Sequence, residues 1–318
     1  MKLLLAFFRL IRWKNLLFIA LTQFLFYYCI IVPTLPISYY KLTDTLTQPL
    51  FLLLVISSIF IAAAGYIIND YFDINIDRIN KPDKMVVEKI INRRWAILLH
   101  WLITTVGLMV SLYVGFKTSF IVFIANVLCT LLLWFYSTTF KKKLLSGNII
   151  ISLLTAWTVL VLYFATNIVY HSSKGLSPDI YAALNRIFKF AVLYGGFAFI
   201  ISLVREVVKD IEDKEGDAKY NCKTMPIVWG IPTSKVFAGV WLVVLIGILS
   251  IIQFYAFQLG WLLISFYCLV MVILPLIWIL RKLYVAQNSQ QYHQLSQIIK
   301  LVMLFGILSL FFFKLYIK

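Results

Sequence analysis

The chain has 318 residues, of which 62% are hydrophobic and only 13% are charged. Because soluble domains average about 45–50% apolar and about 25% charged residues, this composition excludes an ordinary soluble protein and indicates one that crosses a membrane several times. The formal net charge is +16. In a membrane protein such an excess is explained by basic cytoplasmic loops, so we expect no nucleic-acid partner.

Nine apolar segments of about 20 residues follow one another along the chain. Arg9 and Arg12 interrupt the opening MKLLLAFFRLIRWKN, which therefore resembles an interfacial helix more than a signal peptide. Segments three and four are separated only by a turn at Lys117 and should form a hairpin. The predicted spans are 15–37, 46–68, 95–116, 119–139, 148–169, 181–204, 235–255, 259–280 and 295–316. The predicted fold is an all-α bundle of nine transmembrane helices with a central cavity, forming a single domain over residues 1–318.

Lysine and arginine residues are distributed unevenly between the predicted loops. With the N-terminus inside, 21 of the 29 fall on the inner side, 7 on the outer side, and Lys300 within a span. Since positively charged loops remain in the cytoplasm, we predict an integral protein of the cytoplasmic membrane. Its N-terminus and both acidic loops would be cytoplasmic and its C-terminus outside. The sequence indicates no oligomeric state.

Eleven of the 13 acidic residues lie in two inner loops, after the second and sixth spans. Each loop carries three aspartates at spacing i, i+3, i+7, which places them on one helix face. Like charges stacked in this way repel unless a cation lies among them, and Mg²⁺ prefers carboxylates combined with substrate phosphate and water. The predicted metal ligands are Asn69, Asp70, Asp73 and Asp77 in the first loop, and Asp210, Asp213 and Asp217 in the second.

The two acidic trios are 140 residues apart, which indicates an internal repeat of spans one to four and five to eight. One trio alone could be a solvated helix end or a set of carboxylates paired with nearby lysines and arginines. Two matching trios facing a shared cavity are what a diphosphate leaving group requires. The C–O bond of an allylic diphosphate ionises once the departing pyrophosphate is neutralised.

Three stretches resemble the UbiA-type intramembrane prenyltransferase family. NDYFDINIDRINKPDK looks like its first signature, KDIEDKEGDAKYNCKTMPIVWG like its second, and YSTTFKKKLLSGN like its lysine landmark before span five. The resemblance implies two Mg²⁺ ions bridging a prenyl diphosphate. The chain departs from the family at KPDKMVVEKI, which lacks the usual later prolines and glycine. The residues implied in catalysis are Asp73, Asp213, Lys141, Lys142 and Tyr136, and those implied in diphosphate binding are Lys84, Lys141, Lys142 and Lys223.

The acceptor is the least determined part of the predicted reaction. The run REVVKDIEDKEGDA at 205–218 looks most like the digeranylgeranylglyceryl phosphate synthase branch of the family, which implies geranylgeranylglyceryl phosphate as a lipophilic acceptor. An aromatic acceptor, such as a hydroxybenzoate or naphthoate in quinone biosynthesis, is the alternative within the family. A cation-coupled transporter is the alternative of another class, although transporters usually place acids near the membrane midplane. The donor and the membrane lipids are the other expected partners.

Overall fold

A computed structural model describes residues 2–41, 45–80, 85–166 and 177–316. Across these ranges the chain is almost entirely helical, and the β-structure consists of one isolated bridge between Val87 and Ile91. The expected all-α fold is confirmed. The helices are α1 (Lys2–Leu10), α2 (Trp13–Thr34), α3 (Gln48–Phe72), α4 (Ile74–Asn80), α5 (Arg93–Lys117), α6 (Phe120–Thr138), α7 (Ser146–Thr166), α8 (Pro178–Glu212), α9 (Lys214–Lys219), α10 (Met225–Val228), α11 (Gly230–Gln258), α12 (Leu262–Val285) and α13 (Ser289–Phe313).

Nine of the helices in the described ranges are long and apolar enough to cross a membrane, as the sequence predicted. Most of their bounds lie within a few residues of the predicted ones, and α5 and α6 are joined by a short turn after Lys117. The largest difference is α8, which was expected to end at residue 204 and continues to Glu212. The prediction followed the apolar segment, but the backbone hydrogen bonds of a helix can continue beyond the hydrocarbon core of the membrane. A helix of 35 residues is about 50 Å long, whereas the hydrocarbon core is about 30 Å thick.

One compact unit comprises residues 1–24, 34–140 and 157–191. Helices α3 and α5 approach closely in it, since a Cβ atom on Gly107 would lie 3.0 Å from the Cβ of Phe60. The hydroxyl of Ser57 donates a 3.0 Å hydrogen bond to the carbonyl of Gly107 at the same crossing. Small residues allow this approach in membrane helices, where packing and hydrogen bonds replace the hydrophobic effect.

Helix α1 belongs to this unit and separates into two faces. Ala6 and Leu10 are buried against Ile67 and the loop residues 85–87, whereas Leu3 and Leu4 are more than half exposed. An exposed apolar face next to basic residues is typical of a helix lying in a membrane interface. The structure thus contains the helix expected before the first span.

The structure describes the loop that departs from the family pattern from residue 85 onwards. Glu88 has a left-handed backbone conformation with φ of 71°, and its carboxylate forms a 2.6 Å ion pair with Arg78. Met85, Val86 and Val87 are buried in the apolar cluster around α1. Hydrophobic packing and this ion pair therefore hold the loop without the prolines that the family commonly has there.

The other compact unit comprises residues 25–33, 141–156 and 192–318. Its apolar core includes Val204, Met225, Leu276 and Ile299, all fully buried. A polar seam between α7 and α8 crosses this unit. The pairs are Asn148 with Asp210 at 2.8 Å and Thr155 with Ser202 at 3.2 Å, and Ser152 donates to the carbonyl of Asn148 at 2.6 Å.

Candidate active site

The first acidic segment crosses a joint between two helices. Helix α3 ends at Phe72 and α4 begins at Ile74, and Asp73 between them has φ of −88° and ψ of 0°. The amide of Asp73 still donates to the carbonyl of Asn69 at 3.0 Å, and that of Asp77 donates to the carbonyl of Asp73 at 2.8 Å. The expectation of one continuous helix is thus corrected. The i to i−4 hydrogen bonds continue, but the ψ angle of Asp73 changes the helix direction between the second and third aspartates.

The second acidic segment has the same joint. Helix α8 ends at Glu212, α9 begins at Lys214, and Asp213 has φ of −91° and ψ of 4°. The amide of Asp213 donates to the carbonyl of Lys209 at 2.9 Å, and that of Asp217 donates to the carbonyl of Asp213 at 3.1 Å. This sparsely populated backbone region is one in which many active-site residues are found. Both central aspartates therefore have a backbone conformation that is uncommon overall and frequent in active sites.

Asn69 and Asp73 present oxygen atoms suited to a hard cation. The amide nitrogen of Asn69 donates a 2.6 Å hydrogen bond to Oδ2 of Asp73, which fixes the orientation of both side chains. Asp73 is 3% exposed, and Oδ1 of Asn69 is buried without a hydrogen-bond partner. A buried carbonyl oxygen is normally satisfied by a donor or an ion. An unsatisfied oxygen beside a buried carboxylate fits a magnesium ligand set.

Asp70 has a different environment from Asp73. Nη2 of Arg12 donates to Oδ1 of Asp70 at 2.7 Å, and the guanidinium lies 5.1 Å from the centre of the Tyr66 ring. Partial burial opposes the charge of Arg12, but the Asp70 carboxylate, with smaller contributions from Tyr66 and Asp73, more than offsets that cost and raises the pKa of the guanidinium. Arg12 therefore stays protonated and balances the charge of Asp70.

Within the described ranges, no three His, Cys, Asp or Glu side chains lie close enough together to hold a metal ion by themselves. Mg²⁺ does not need such a cage, because it keeps several water ligands and commonly binds one or two carboxylates plus substrate phosphates. The arrangement of Asn69 and Asp73 matches that kind of site. Among the other predicted ligands, Asp77 and Asp213 are half-buried and Asp217 is 7% exposed.

Asp210 is held by a residue that the sequence did not identify. Nδ2 of Asn148, near the start of α7, donates a 2.8 Å hydrogen bond to Oδ2 of Asp210. Asn148 ends the quoted lysine landmark, yet nothing in its spacing indicates a partner 62 residues away. One turn before Asp210 lies Glu206, which is 9% exposed and forms ion pairs with Arg205 and Lys209, each at 3.1 Å.

The structure brings two of the predicted diphosphate-binding stretches together. The backbone amide of Lys223 donates to the carbonyl of Lys142 at 2.8 Å, which joins the lysine loop to the segment after the second acidic trio. Lys142 and Lys223 are exposed and Lys141 is half-buried. Tyr136 is half-buried near the end of α6. Lys84 lies outside the described residues.

These features define a helical membrane protein with two carboxylate-bearing joints and a lysine-rich loop. The model of the UbiA prenyltransferase family matches residues 30–313. A digeranylgeranylglyceryl phosphate synthase from Methanosphaera stadtmanae is 30% identical, over 79% of this chain and 83% of that relative.

Two solved structures are similar over nearly the whole chain. One, described as digeranylgeranylglyceryl phosphate synthase in membranes, has a TM-score of 0.60 and 25% identity, with 98% of each chain covered. The other is a UbiA homologue from Archaeoglobus fulgidus bound to GPP and Mg²⁺, with a TM-score of 0.55 and 16% identity, covering 96% of this chain and 99% of that one. The chain belongs to the UbiA prenyltransferase family. It is a membrane prenyltransferase, and the cation-coupled transporter is excluded.

Proposed function

We propose that the protein transfers a geranylgeranyl group from its diphosphate to a glycerol hydroxyl of geranylgeranylglyceryl phosphate. The observation that carries this proposal is the similarity to the Methanosphaera stadtmanae synthase across about four fifths of both chains. The solved structure described by the same enzyme name supports it. In this reaction the allylic C–O bond breaks and its electron pair leaves with pyrophosphate. The acceptor hydroxyl then forms the ether bond, and its proton passes to pyrophosphate or a nearby base.

We further propose one Mg²⁺ at each acidic segment as the cofactor. When bound, the metal neutralises the diphosphate and so favours cleavage of the allylic C–O bond. The buried oxygen of Asn69 with Asp73 supports this proposal for the first segment, as does the Archaeoglobus fulgidus relative bound to GPP and Mg²⁺. Asp213 and Asp217 would serve the second segment. Lys141, Lys142 and Lys223 would offer their ammonium groups to the diphosphate oxygens.

We propose that residues 1–318 act as one enzyme in the cytoplasmic membrane, with both acidic segments on the cytoplasmic side. The uneven distribution of lysine and arginine supports this orientation. Single cysteines at exposed positions such as Ile90 and Ser177, in a background whose native cysteines are replaced, would test it. We expect an impermeant reagent to label them from opposite sides of sealed vesicles. Labelling of both from one side would contradict the orientation.

A prenyl transfer to an aromatic acid remains the alternative within the family. A competition assay decides between the two, with the purified protein supplied with Mg²⁺, geranylgeranyl diphosphate or a shorter prenyl diphosphate, geranylgeranylglyceryl phosphate and an aromatic acid. We expect the ether lipid as the product identified by mass. An aromatic product without ether lipid would overturn the proposed acceptor and leave the prenyltransferase class intact.

A further inference from the structure

Arg205 has a guanidinium edge without a partner. Its side chain is 21% exposed, and its Nε is buried with no hydrogen-bond partner. Nη1 donates to Oε1 of Glu206 at 3.1 Å. Glu206 therefore binds the guanidinium through Nη1, and the edge formed by Nε and Nη2 remains available to another acceptor. That edge is the one with which arginine binds carboxylate or phosphate through two parallel hydrogen bonds.

The neighbours of Arg205 on α8 carry charges of both signs. Lys209 lies one helical turn further along α8, and its Nζ contacts both oxygens of Glu206 at 3.1 and 3.2 Å. Asp210 follows directly and interacts with Glu206 and Lys209, so these neighbouring turns hold two basic and two acidic side chains. An arginine that merely extends to the membrane surface would place its guanidinium in water. Arg205 instead keeps its Nε enclosed.

The position of Arg205 along α8 separates it from the predicted diphosphate contacts. It directly follows Leu203 and Val204, which are buried, and precedes Asp213 by eight residues, which is roughly 12 Å along a helix axis. The donor's hydrocarbon chain lies in the membrane, so its reacting carbon is on the membrane side of the diphosphate. An acceptor phosphate is only a few bonds from the reacting glycerol hydroxyl. A side chain on the membrane side of the diphosphate can therefore reach that phosphate.

We propose that Arg205 binds the phosphate monoester of the acceptor through its Nε and Nη2 edge, with Glu206 orienting the guanidinium. This inference rests on the proposed function, since it assigns a residue to the acceptor of that reaction. It makes Arg205 a specificity residue for a phosphorylated acceptor. The exposed lysines of the loops remain contacts for the diphosphate.

The test compares two acceptors and two proteins. Geranylgeranylglyceryl phosphate and geranylgeranylglycerol, which lacks the phosphate, are each supplied to the wild-type protein and to Arg205→Lys, which keeps the charge but loses the planar edge. In the variant we expect the KM for the phosphorylated acceptor to rise about tenfold or more. The KM for the donor and the rate with the unphosphorylated acceptor should be unchanged. Arg186→Lys, an exposed position on the same helix, is the matched control.

Each outcome bears on one of the two proposals. An equal loss with both acceptors, or a raised KM for the donor alone, would overturn the assignment of Arg205. An unchanged KM for the phosphorylated acceptor would do the same. If the wild-type protein forms no ether lipid from either glycerol acceptor, the proposed function fails, and the assignment fails with it. Binding of a non-reactive thio-analogue of the donor shows whether the variant is folded, and we expect it to match the wild-type protein.

Discussion

The two acidic segments share a backbone conformation and differ in the side chains around it. Asp73 and Asp213 each join two helices with φ near −90° and ψ near 0°. In the first segment Asp70 is neutralised by Arg12, a charged partner from the turn before α2. In the second, the equivalent Asp210 receives a hydrogen bond from the neutral amide of Asn148. The same spacing of aspartates thus supports two different electrostatic environments.

The difference is greatest four residues before each central aspartate. The first segment has Asn69, whose buried oxygen is available to a cation, and the second has Lys209, whose ammonium group contacts Glu206. An oxygen at this position adds to a metal site, whereas a cation opposes a metal and attracts phosphate. The two segments are therefore expected to differ in role. The first should bind the metal more tightly, and the second should lie closer to the phosphate groups.

The largest effect is expected from replacing the central aspartate that both segments share. Asp73→Asn and Asp213→Asn should each reduce prenyl transfer by roughly a hundredfold to a thousandfold, because the departing pyrophosphate loses part of its charge compensation. Product formation at saturating Mg²⁺ measures this. Asp179→Asn, which changes an exposed carboxylate at the start of α8, should leave the rate unchanged. Full activity of either site variant, or of the wild-type protein in EDTA, would contradict a metal site at both segments.

A smaller effect should separate the two segments. Asn69→Leu removes the unpartnered oxygen, so we expect the Mg²⁺ concentration for half-maximal rate to rise by about tenfold. Lys209→Met should not raise the Mg²⁺ concentration for half-maximal rate. It should instead raise the KM for a phosphate-bearing substrate, either the prenyl diphosphate or the phosphorylated acceptor. Titrations of Mg²⁺ and of each substrate on both variants give these values. Identical responses of the two variants would show that the segments are functionally equivalent.

The smallest effects concern the partners of Asp70 and Asp210. Asn148→Leu should lower the free energy of unfolding by about 2 kcal/mol, because Asn148 is buried and its partner is a carboxylate. Arg12→Met should cost only about 1 kcal/mol, since the Arg12 side chain is 38% exposed and exposed ion pairs contribute little. Thermal unfolding in one detergent, with Arg186→Met as a control, would rank them. A larger loss for Arg12→Met would mean that the charged pair dominates.

The spans and both acidic segments could be predicted because each depends on local sequence. Twenty apolar residues favour a membrane helix wherever they occur, and the aspartate spacing is contained within eight residues. The pairing of Arg12 with Asp70, and of Asn148 with Asp210, joins residues 58 and 62 positions apart. Such contacts depend on how helices pack. The joint at Asp73 also escaped prediction, because spacing alone does not specify a ψ angle.

The polar seam between α7 and α8 has a consequence for how the protein is made. Asn148 and Thr155 are synthesised well before their partners Asp210 and Ser202. If α7 entered the membrane alone, the Thr155 hydroxyl would keep its hydrogen bond to the carbonyl of Ile151, but the Asn148 amide would lack its partner from α8, which is costly. Insertion of α7 and α8 together, as one unit leaving the translocation machinery, avoids that state. The seam thus couples the biogenesis of this pair of helices to the formation of its catalytic end.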